Sequence, residues 1–204
     1  QLALDTNTIF ILLSDHGEEF MDHGQIYHKG TLHDELNRIL CVFRGPNIHP
    51  QTINTNISGI DVLPTLLDLL NQPVPDTIRG ESLAPLLRKE EGAPILQTAV
   101  EARTLFAHRM DNHNIGREYW AVIKNYWKLI ESNSHAPKLY NHQKDIGEQD
   151  NIFSANPDIA KTLQNELSGF QAKFNTDNKT AAQKVDVFVD DALKEELESL
   201  GYLE

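Results

Sequence analysis

A short apolar run rich in β-branched and bulky side chains, residues 8–14 (TIFILLS), constrains the fold more than any other feature of the sequence. A continuous run of this length predicts a strand buried on both faces, as in a parallel sheet covered by helices. The run ends directly on Asp15, His16 and Gly17. In open α/β sheets, ligands bind at the carboxyl ends of the strands. The residues that follow this strand are therefore candidates for a functional site.

A second apolar run, residues 38–46 (RILCVFRGP), predicts another core strand, which Gly45 and Pro46 bring to an end. The polar segment between the two strands has about twenty residues, which is long for a simple connection; such loops are usually functional or disordered. Four of the nine histidines lie in or beside it. The loop is therefore the second reason to expect a site here.

Residues 58–70 (SGIDVLPTLLDLL) predict a helix with one apolar face, formed by Ile60, Leu63, Leu67 and Leu70. Ser58 and Asp61 have the spacing of a capping box at its start. Residues 80–87 predict a short amphipathic segment, and residues 88–94 (RKEEGAP) break the apolar pattern. We place a domain boundary there.

The second half of the chain has a different pattern. Residues 94–102, 118–132 and 138–141 predict strands, the middle segment as two runs around a turn. Asn156, Pro157 and Asp158 then signal a helix start, and residues 175–184 predict a polar linker before a last helix at 190–200. The fold class expected is α/β: residues 1–92 form the C-terminal part of an α/β domain, and residues 93–204 form a small α+β subdomain with an antiparallel sheet.

Composition excludes some classes of function. The net charge of −12 gives nucleic acid little to bind, because phosphate contacts need clustered Lys and Arg. No apolar run reaches the roughly 18 residues of a membrane span, and Cys41 is the only cysteine, so no internal disulfide is expected. The chain begins almost directly on a core strand and without Met, which predicts a fragment of a longer protein.

Taken alone, Asp15 and His16 fit two interpretations. The first is a turn with a solvated carboxylate and a hydrogen-bonded imidazole; the second is part of a binding site at the strand end. A zinc-finger-like interpretation would use His23, His28 and His33. It is disfavoured, because five-residue spacing spreads the side chains around a helix and no cysteines support it.

Five segments, in this order, resemble the sulfatase family of the alkaline phosphatase superfamily. They are SDHGEEFMDHG with HKGTLHDELNRILCVFRGP, then ISGIDVLPTLLDLLNQPVPDTIRGESLAPLL, WKLIE, KLYNHQKDIGEQDNI and LESLGYLE. They match the family's C-terminal metal motif, its Asp-x-x-Pro-Thr-x-Leu helix, its Lys-Leu-Ile strand, its Leu-Tyr-Asp turn and its last helix. The resemblance covers nearly the whole chain and implies the alkaline-phosphatase-like sandwich fold.

The resemblance also implies roles. Asp15 and His16 match the second pair of ligands for a divalent cation, which is usually calcium, with manganese, magnesium or zinc as alternatives. A basic residue should then bind the sulfate oxygens and stabilise the leaving group. His28 and Lys29 compete for this role, and His28 is preferred. His23 is expected to shape the loop rather than bind metal.

The family's nucleophile is not expected in this chain. Sulfatases make formylglycine from Cys or Ser in a Cys/Ser-x-Pro/Ala-x-Arg motif. The segment starting at Cys41 has Phe43 and Gly45 at the two diagnostic places, and the segment starting at Ser134 ends in Lys138. The resemblance therefore places the formylglycine, and two further acidic metal ligands, upstream. Asp61, Asp68 and Asp76 are expected on helix surfaces.

The function expected from these points is a metal-dependent sulfatase that hydrolyses a sulfate ester, of which this chain is the C-terminal part, inactive alone. One alternative is a phosphodiesterase, phosphonate monoester hydrolase or phosphoethanolamine transferase of the same superfamily, and another is a non-catalytic member. Its partners would be the sulfate ester and the missing N-terminal part. Weak substrate-binding candidates lie in a polar stretch expected to be a loop: His108, Arg109, His113 and Arg117. The sequence leaves substrate, metal, compartment and oligomeric state open.

Overall fold

The computed structural model describes residues 6–28, 30–90, 100, 102–111 and 116–181. It divides into two compact units, residues 1–167 and residues 168–204. The expected domain boundary between residues 92 and 93 lies outside the described residues, so the predicted domains 1–92 and 93–204 stay a prediction. None of the described helices combines the length and the apolar character needed to cross a membrane.

The first two strands pair with each other. Strand β1 (Phe10–Leu13) lies antiparallel to β4 (Cys41–Arg44), with Phe10 opposite Arg44 and Leu13 opposite Cys41. The expectation of parallel pairing with both faces buried is therefore wrong for the described residues. Beside this pair, the Ser14 amide donates to the Leu40 carbonyl oxygen at 3.1 Å, and the Leu40 amide donates to the Ser14 hydroxyl oxygen at 2.9 Å. Most side chains of β1 are exposed, Phe10 to 61%.

The polar loop between β1 and β4 is structured. It contains a small hairpin of β2 (Glu19–Phe20) and β3 (Ile26–Tyr27), followed by the short helix α1 (Asp34–Asn37). Gly17 lies so close to α1 that an added Cβ would approach the Glu35 carbonyl oxygen within 1.9 Å. Its amide donates to the Leu36 carbonyl at 2.9 Å. Close backbone contact is therefore the reason for glycine at this position.

The next segment is helical and packs under the strands. A short 3-10 helix (Gly59–Asp61) leads into α2 (Val62–Leu69), and α3 (Ala84–Arg88) follows. Leu69, Ala84 and Leu87 form a core with Ile9, Phe43, Ile48 and Ile53. The expected apolar stripe is not part of this core: Ile60, Leu63 and Leu70 are exposed.

Asp61 was expected on a helix surface and is instead fully buried. Its Oδ2 accepts from the Ser58 amide at 2.8 Å, as the predicted capping box requires. Both carboxylate oxygens also accept from the Arg103 guanidinium, at 3.0 and 2.6 Å. The hydrogen bonds to Asp61 raise the pKa of Arg103 further, against the effect of burial. This bidentate ion pair connects the start of α2 to the segment that leads into the four-stranded sheet described next.

A four-stranded antiparallel sheet follows, in the order β5-β6-β7-β8. The strands are β5 (Thr104–Asp111), β6 (Arg117–Lys124), β7 (Trp127–Ser132) and β8 (Lys138–Asn141). Strands β6, β7 and β8 confirm the prediction. The predicted strand at residues 94–102 falls almost wholly outside the described residues, and Val100 and Ala102 are helical.

Helix α4 (Pro157–Ala181) begins where the sequence signal placed it. It continues seven residues, 175–181, into the segment expected to be a linker from residue 175. Thr104 and Lys124 both hydrogen-bond the Glu166 carboxylate, and Gln164 donates to Glu131 at 2.6 Å. The predicted last helix at 190–200 lies outside the described residues. Helices with antiparallel sheets fit the predicted α/β class with its α+β subdomain.

Candidate functional site

Asp15 and His16 stand at the end of β1 with both side chains accessible. Asp15 Oδ1 accepts a hydrogen bond from the His16 amide at 2.9 Å, and Asp15 Oδ2 lies 3.7 Å from His16 Nε2. His16 Nδ1 is 2.7 Å from the Gly17 carbonyl oxygen. That contact places the proton on Nδ1 and leaves Nε2 as a ligand atom. One carboxylate oxygen and one imidazole nitrogen thus lie close enough to bind one divalent cation.

His28 directly follows β3, at the end of the hairpin, and its ring lies beside that of His16. Its ring centroid lies 4.4 Å from that of His16. Its Nδ1 is 3.4 Å from Glu18 Oε2. Lys29, the other candidate for the anion-binding base, lies outside the described residues, so the choice between the two stays a prediction.

These side chains share one cavity of about 450 Å³. Asp15, His16 and His28 line it together with Arg109 from β5 and apolar residues of the loop, of β5 and of β6. The cavity therefore brings three of the predicted site residues and one predicted substrate residue to a single space. A cavity of this size falls in the range that holds small-molecule ligands.

The predicted substrate-binding residues do not all lie at the cavity. His108 and Arg109 lie on strand β5, so the expectation of a loop here is wrong, and neighbouring residues of a strand face opposite sides. Arg109 lines the cavity, whereas the His108 ring stacks on Trp120 at 3.7 Å and bonds Glu118 at 2.8 Å. Arg117 is exposed at the start of β6, outside the cavity lining, and His113 lies outside the described residues.

His23 and His33 stabilise the loop between β1 and β4 through contacts with other parts of the chain. Their rings stack at 3.7 Å. His23 contacts Glu35 Oε1 at 2.6 Å through Nδ1 and the Glu148 carbonyl at 2.9 Å through Nε2. Burial lowers the pKa of His23, but these two hydrogen bonds outweigh burial and raise it above the usual value. The contacts agree with the loop-shaping role expected for His23.

His33 is almost fully buried and lies within hydrogen-bond distance of Tyr140. Burial, with the positive charges of His23, Lys138 and Lys128, lowers the pKa of His33 to about 3. At neutral pH His33 is therefore an uncharged ring packed between the loop and β8. The sequence pattern gave it no role.

A buried group of charges connects the loop to the second sheet. The Lys128 ammonium, which is fully buried, lies 2.7 Å from Asp34 Oδ1 and 2.9 Å from Glu148 Oε1. Glu148 also contacts His142 at 2.7 Å and accepts from the Asp34 amide at 2.8 Å. Sequence reasoning missed this group: Asp34, Lys128 and Glu148 lie in three separate segments that resemble the family, and nothing in the sequence connects them.

Comparison with known proteins places these features in a family context. The family model for the C-terminal part of N-sulphoglucosamine sulphohydrolase matches residues 22–173. The chain is 29% identical over 175 residues to arylsulfatase K of Canis lupus familiaris, covering 82% of this chain and 32% of that protein. It is 30% identical over 179 residues to an ulvan-active sulfatase of Formosa agariphila, covering 85% of this chain and 33% of that protein.

A solved structure described as a 2-O GAG sulfatase has the same fold. The TM-score is 0.72 at 24% identity, over 94% of this chain and 41% of that one. The chain thus spans about a third of the length of the curated relatives that it matches.

Proposed function

Because the chain belongs to the sulfatase family of the alkaline phosphatase superfamily, whose C-terminal model matches residues 22–173, we propose that it supplies the C-terminal part of the active site of a sulfate ester hydrolase. One observation carries the proposal: Asp15, His16, His28 and Arg109 come from three separate segments and line one cavity. The remaining part of the site is proposed to come from the rest of the longer protein.

Sulfatases of this family generally use a divalent metal. The donor set fits such an ion, because the Asp15 carboxylate and His16 Nε2 are accessible and 3.7 Å apart. We propose calcium as the ion, with Asp15 and His16 as two of its ligands and the others from the longer protein, since calcium takes about six to eight oxygen ligands. The bound ion would act as a Lewis acid on a sulfate oxygen.

His28 is proposed to bind the sulfate and to stabilise charge on the leaving oxygen. Its ring is half-exposed and lies beside Glu18, so its protonated form has a carboxylate partner. An imidazolium here can donate a hydrogen bond to an anionic oxygen, which is worth most where charge develops in the transition state. Lys29 follows it directly and is proposed to share this role.

Arg109 is proposed to recognise a second anionic group of the substrate. A guanidinium offers a rigid fork that matches carboxylates and sulfates. The names of two similar proteins, an ulvan-active sulfatase and a 2-O GAG sulfatase, describe polysaccharide sulfatases. We therefore propose an anionic carbohydrate sulfate as the substrate class for this chain.

The partner of this chain is proposed to be the N-terminal part of the same protein. Support comes from large apolar side chains that are exposed in the described structure on β1, β4 and the α2 region: Phe10, Leu12, Leu13, Val42, Ile60, Leu63 and Leu70. Exposed apolar surface of this extent is typical of an interface.

The test is a substrate comparison on the longer protein that contains this chain. An aryl sulfate, an aryl phosphodiester and an aryl phosphonate monoester are assayed in calcium under identical conditions, and the proposal predicts the highest kcat/KM for the sulfate. A higher kcat/KM for either phosphorus ester would contradict it and would favour the phosphodiesterase or phosphonate hydrolase alternative. No turnover of any of the three would favour the non-catalytic alternative.

A further inference from the structure

We propose that His135 binds the carbohydrate part of the substrate, at the edge of the site beside His28 and Arg109. The inference rests on the proposed function and deepens it, because it assigns a residue that recognises the sugar rather than the sulfate. His135 lies in the loop between β7 and β8, and its side chain is exposed. Contacts of Tyr119 and Gly30 place this loop beside the site.

Tyr119 connects His135 with Arg109. Tyr119 of β6 is the register partner of Arg109 of β5, which lines the cavity. Directly opposite residues of antiparallel strands point to the same face of the sheet, with Cβ atoms about 5 Å apart. The Tyr119 hydroxyl oxygen lies 3.4 Å from His135 Nδ1, and the two rings stack with their centroids 5.9 Å apart. His135 therefore continues the row of polar side chains that Arg109 begins at the cavity.

The loop between β1 and β4 reaches the same hydroxyl. Gly30 follows His28 by two residues, and a Cβ added to Gly30 would lie 4.0 Å from the Tyr119 hydroxyl oxygen. Gly30 has a φ of 82°, which glycine adopts without strain. The hydroxyl that contacts His135 thus lies beside the segment that carries His28.

The His135 ring is held through one nitrogen although it is exposed. Besides the Tyr119 contact, its Nδ1 lies 2.9 Å from the Ser134 hydroxyl oxygen, which in turn lies 3.0 Å from the Ser132 hydroxyl oxygen. A hydroxyl that donates to Nδ1 places the ring proton on Nε2. Nε2 has no hydrogen-bond partner within the described part of the chain. It is therefore a donor that a substrate oxygen can use.

The loop that carries His135 is anchored to β6. Asn133 accepts a hydrogen bond from the Glu118 amide at 3.0 Å through Oδ1 and donates to the Gly116 carbonyl oxygen through Nδ2. Loops on a rigid scaffold often carry binding residues. A loop that is already ordered also avoids part of the entropic cost of ordering a side chain when the ligand binds.

The chemistry around His135 suits a sugar. Its hydrogen-bond partners among the described residues are the neutral hydroxyls of Tyr119 and Ser134. A neutral imidazole donor beside hydroxyls matches the oxygens of a sugar, which accept and donate the same kind of bond. The proposed function already assigns the sulfate to the metal pair and to His28. The ligand assigned to His135 is therefore an oxygen of the sugar that remains after the sulfate has left.

The test compares two kinds of sulfate ester on the proposed longer protein in calcium. The first is an aryl sulfate, which has no sugar; the second is a panel of sulfated disaccharides prepared from glycosaminoglycans and from ulvan. His135→Ala should lower kcat/KM for a cleaved disaccharide about tenfold, the effect of losing one hydrogen bond, and should leave kcat/KM for the aryl sulfate unchanged. His49→Ala is the matched control, because His49 is an exposed histidine outside the cavity, and it should change neither value.

Two conservative variants separate sugar binding from a structural role of the ring. His135→Gln can place an amide N–H near the position of Nε2, whereas His135→Asn can place its amide group near the position of Nδ1. The proposal predicts that His135→Gln recovers most of the lost kcat/KM and that His135→Asn does not. Recovery in His135→Asn would show that the bonds to Ser134 and Tyr119 are what matters, and would overturn the proposal.

Parental kcat/KM of His135→Ala on the disaccharide would also overturn the proposal, and so would an equal loss on the aryl sulfate. If the parent cleaves none of the disaccharides, calorimetric titration with the same disaccharides decides the inference: binding that His135→Ala weakens supports it, and no binding, or equal binding by the variant, overturns it. Failure of the proposed function is distinguishable, because the parent would then turn over neither the disaccharides nor the aryl sulfate.

Discussion

Arg109 and His108 are neighbours in sequence and lie on opposite faces of β5, which makes them a matched pair for testing substrate recognition. Arg109→Met should raise KM for an anionic carbohydrate sulfate about tenfold, the effect of losing one charge-assisted hydrogen bond. His108→Gln should leave KM unchanged, because its ring packs on Trp120 away from the cavity. Steady-state kinetics on the proposed longer protein measure both. An equal rise in KM for both variants would show that KM depends on the integrity of β5 and not on the Arg109 guanidinium, and would contradict the proposed role of Arg109.

His33 provides a pH prediction at the same scale. Its pKa is lowered by burial to about 3 in the folded chain, against 6.5 in the unfolded chain. The unfolded state therefore binds more protons between these values, so the stabilisation from His33 is present above pH 6.5 and is lost as the pH falls towards 3. His23 adds nothing to this acid slope, because its pKa is raised and its contribution is lost only above pH 6.5.

Urea unfolding between pH 7 and pH 4 measures this effect. His33→Gln keeps a hydrogen-bonding group beside Tyr140 and does not titrate, so its free energy of unfolding should fall less steeply with acid than that of the parent. His49→Gln, at an exposed position, should keep the parental slope. If the free energy of unfolding fell equally steeply with acid in His33→Gln and in the parent, the lowered pKa assigned to His33 would be contradicted.

At the scale of elements, the buried charges of Lys128, Asp34 and Glu148 hold α1 and the site loop against β7 and β8. Lys128→Met would leave two carboxylates without their buried cation. Removing one partner of a buried pair costs about 3–5 kcal/mol, and we expect a loss of that size in the free energy of unfolding.

The matched control for Lys128→Met is Lys161→Met on the exposed side of α4, where the change should stay within about 0.5 kcal/mol. Denaturant unfolding measures both variants. A loss below about 1 kcal/mol for Lys128→Met, the typical worth of a surface pair, would contradict the structural role of this group.

The sequence predicted some of these elements and missed others for physical reasons. Strands β6, β7 and β8 were predictable, because their apolar runs are bounded by clear turns. Strand β5 was missed because His108 and Arg109 interrupt its apolar pattern, and their pairing with Trp120 and Tyr119 of β6 is a tertiary contact. The direction of β1 relative to β4 was wrong, because periodicity carries no information about strand direction.

The same limit applies to the site. Asp15, His16 and His28 are close in sequence and were named as candidates from the resemblance; their roles stay a prediction, and the structure places them at one cavity. Glu148 is 114 residues from its partner Asp34, and no local pattern connects them. Arg109 reaches the cavity only because β5 lies beside the loop.

At the scale of the whole molecule, we expect the 204-residue chain alone to show no turnover of an aryl sulfate and to bind calcium weakly. Two ligands, Asp15 and His16, are too few for calcium, and the nucleophile is proposed to lie upstream. Isothermal titration and an aryl sulfate assay check this. Micromolar calcium binding that requires Asp15, together with multiple turnovers, would show a complete active site within this chain.

The exposed apolar side chains of β1 and α2 predict that the isolated chain self-associates. Leu13→Lys and Leu63→Lys should both reduce association in sedimentation velocity, because each places a charge in this surface. Ile146→Lys is the control, since Ile146 is an exposed apolar residue elsewhere in the described structure. Equal association of all three variants would contradict the proposed interface.

The central claim is that Asp15 and His28 of this chain act on one sulfate ester in the longer protein. Its most direct measurement is kcat/KM for an aryl sulfate in calcium, compared between the parent, Asp15→Asn, His28→Ala and the control His108→Gln. The account predicts a loss of at least about a hundredfold for each of the first two variants, as expected for a metal ligand and for a group that stabilises transition-state charge. It predicts parental activity for His108→Gln, and parental activity in Asp15→Asn or His28→Ala would contradict it.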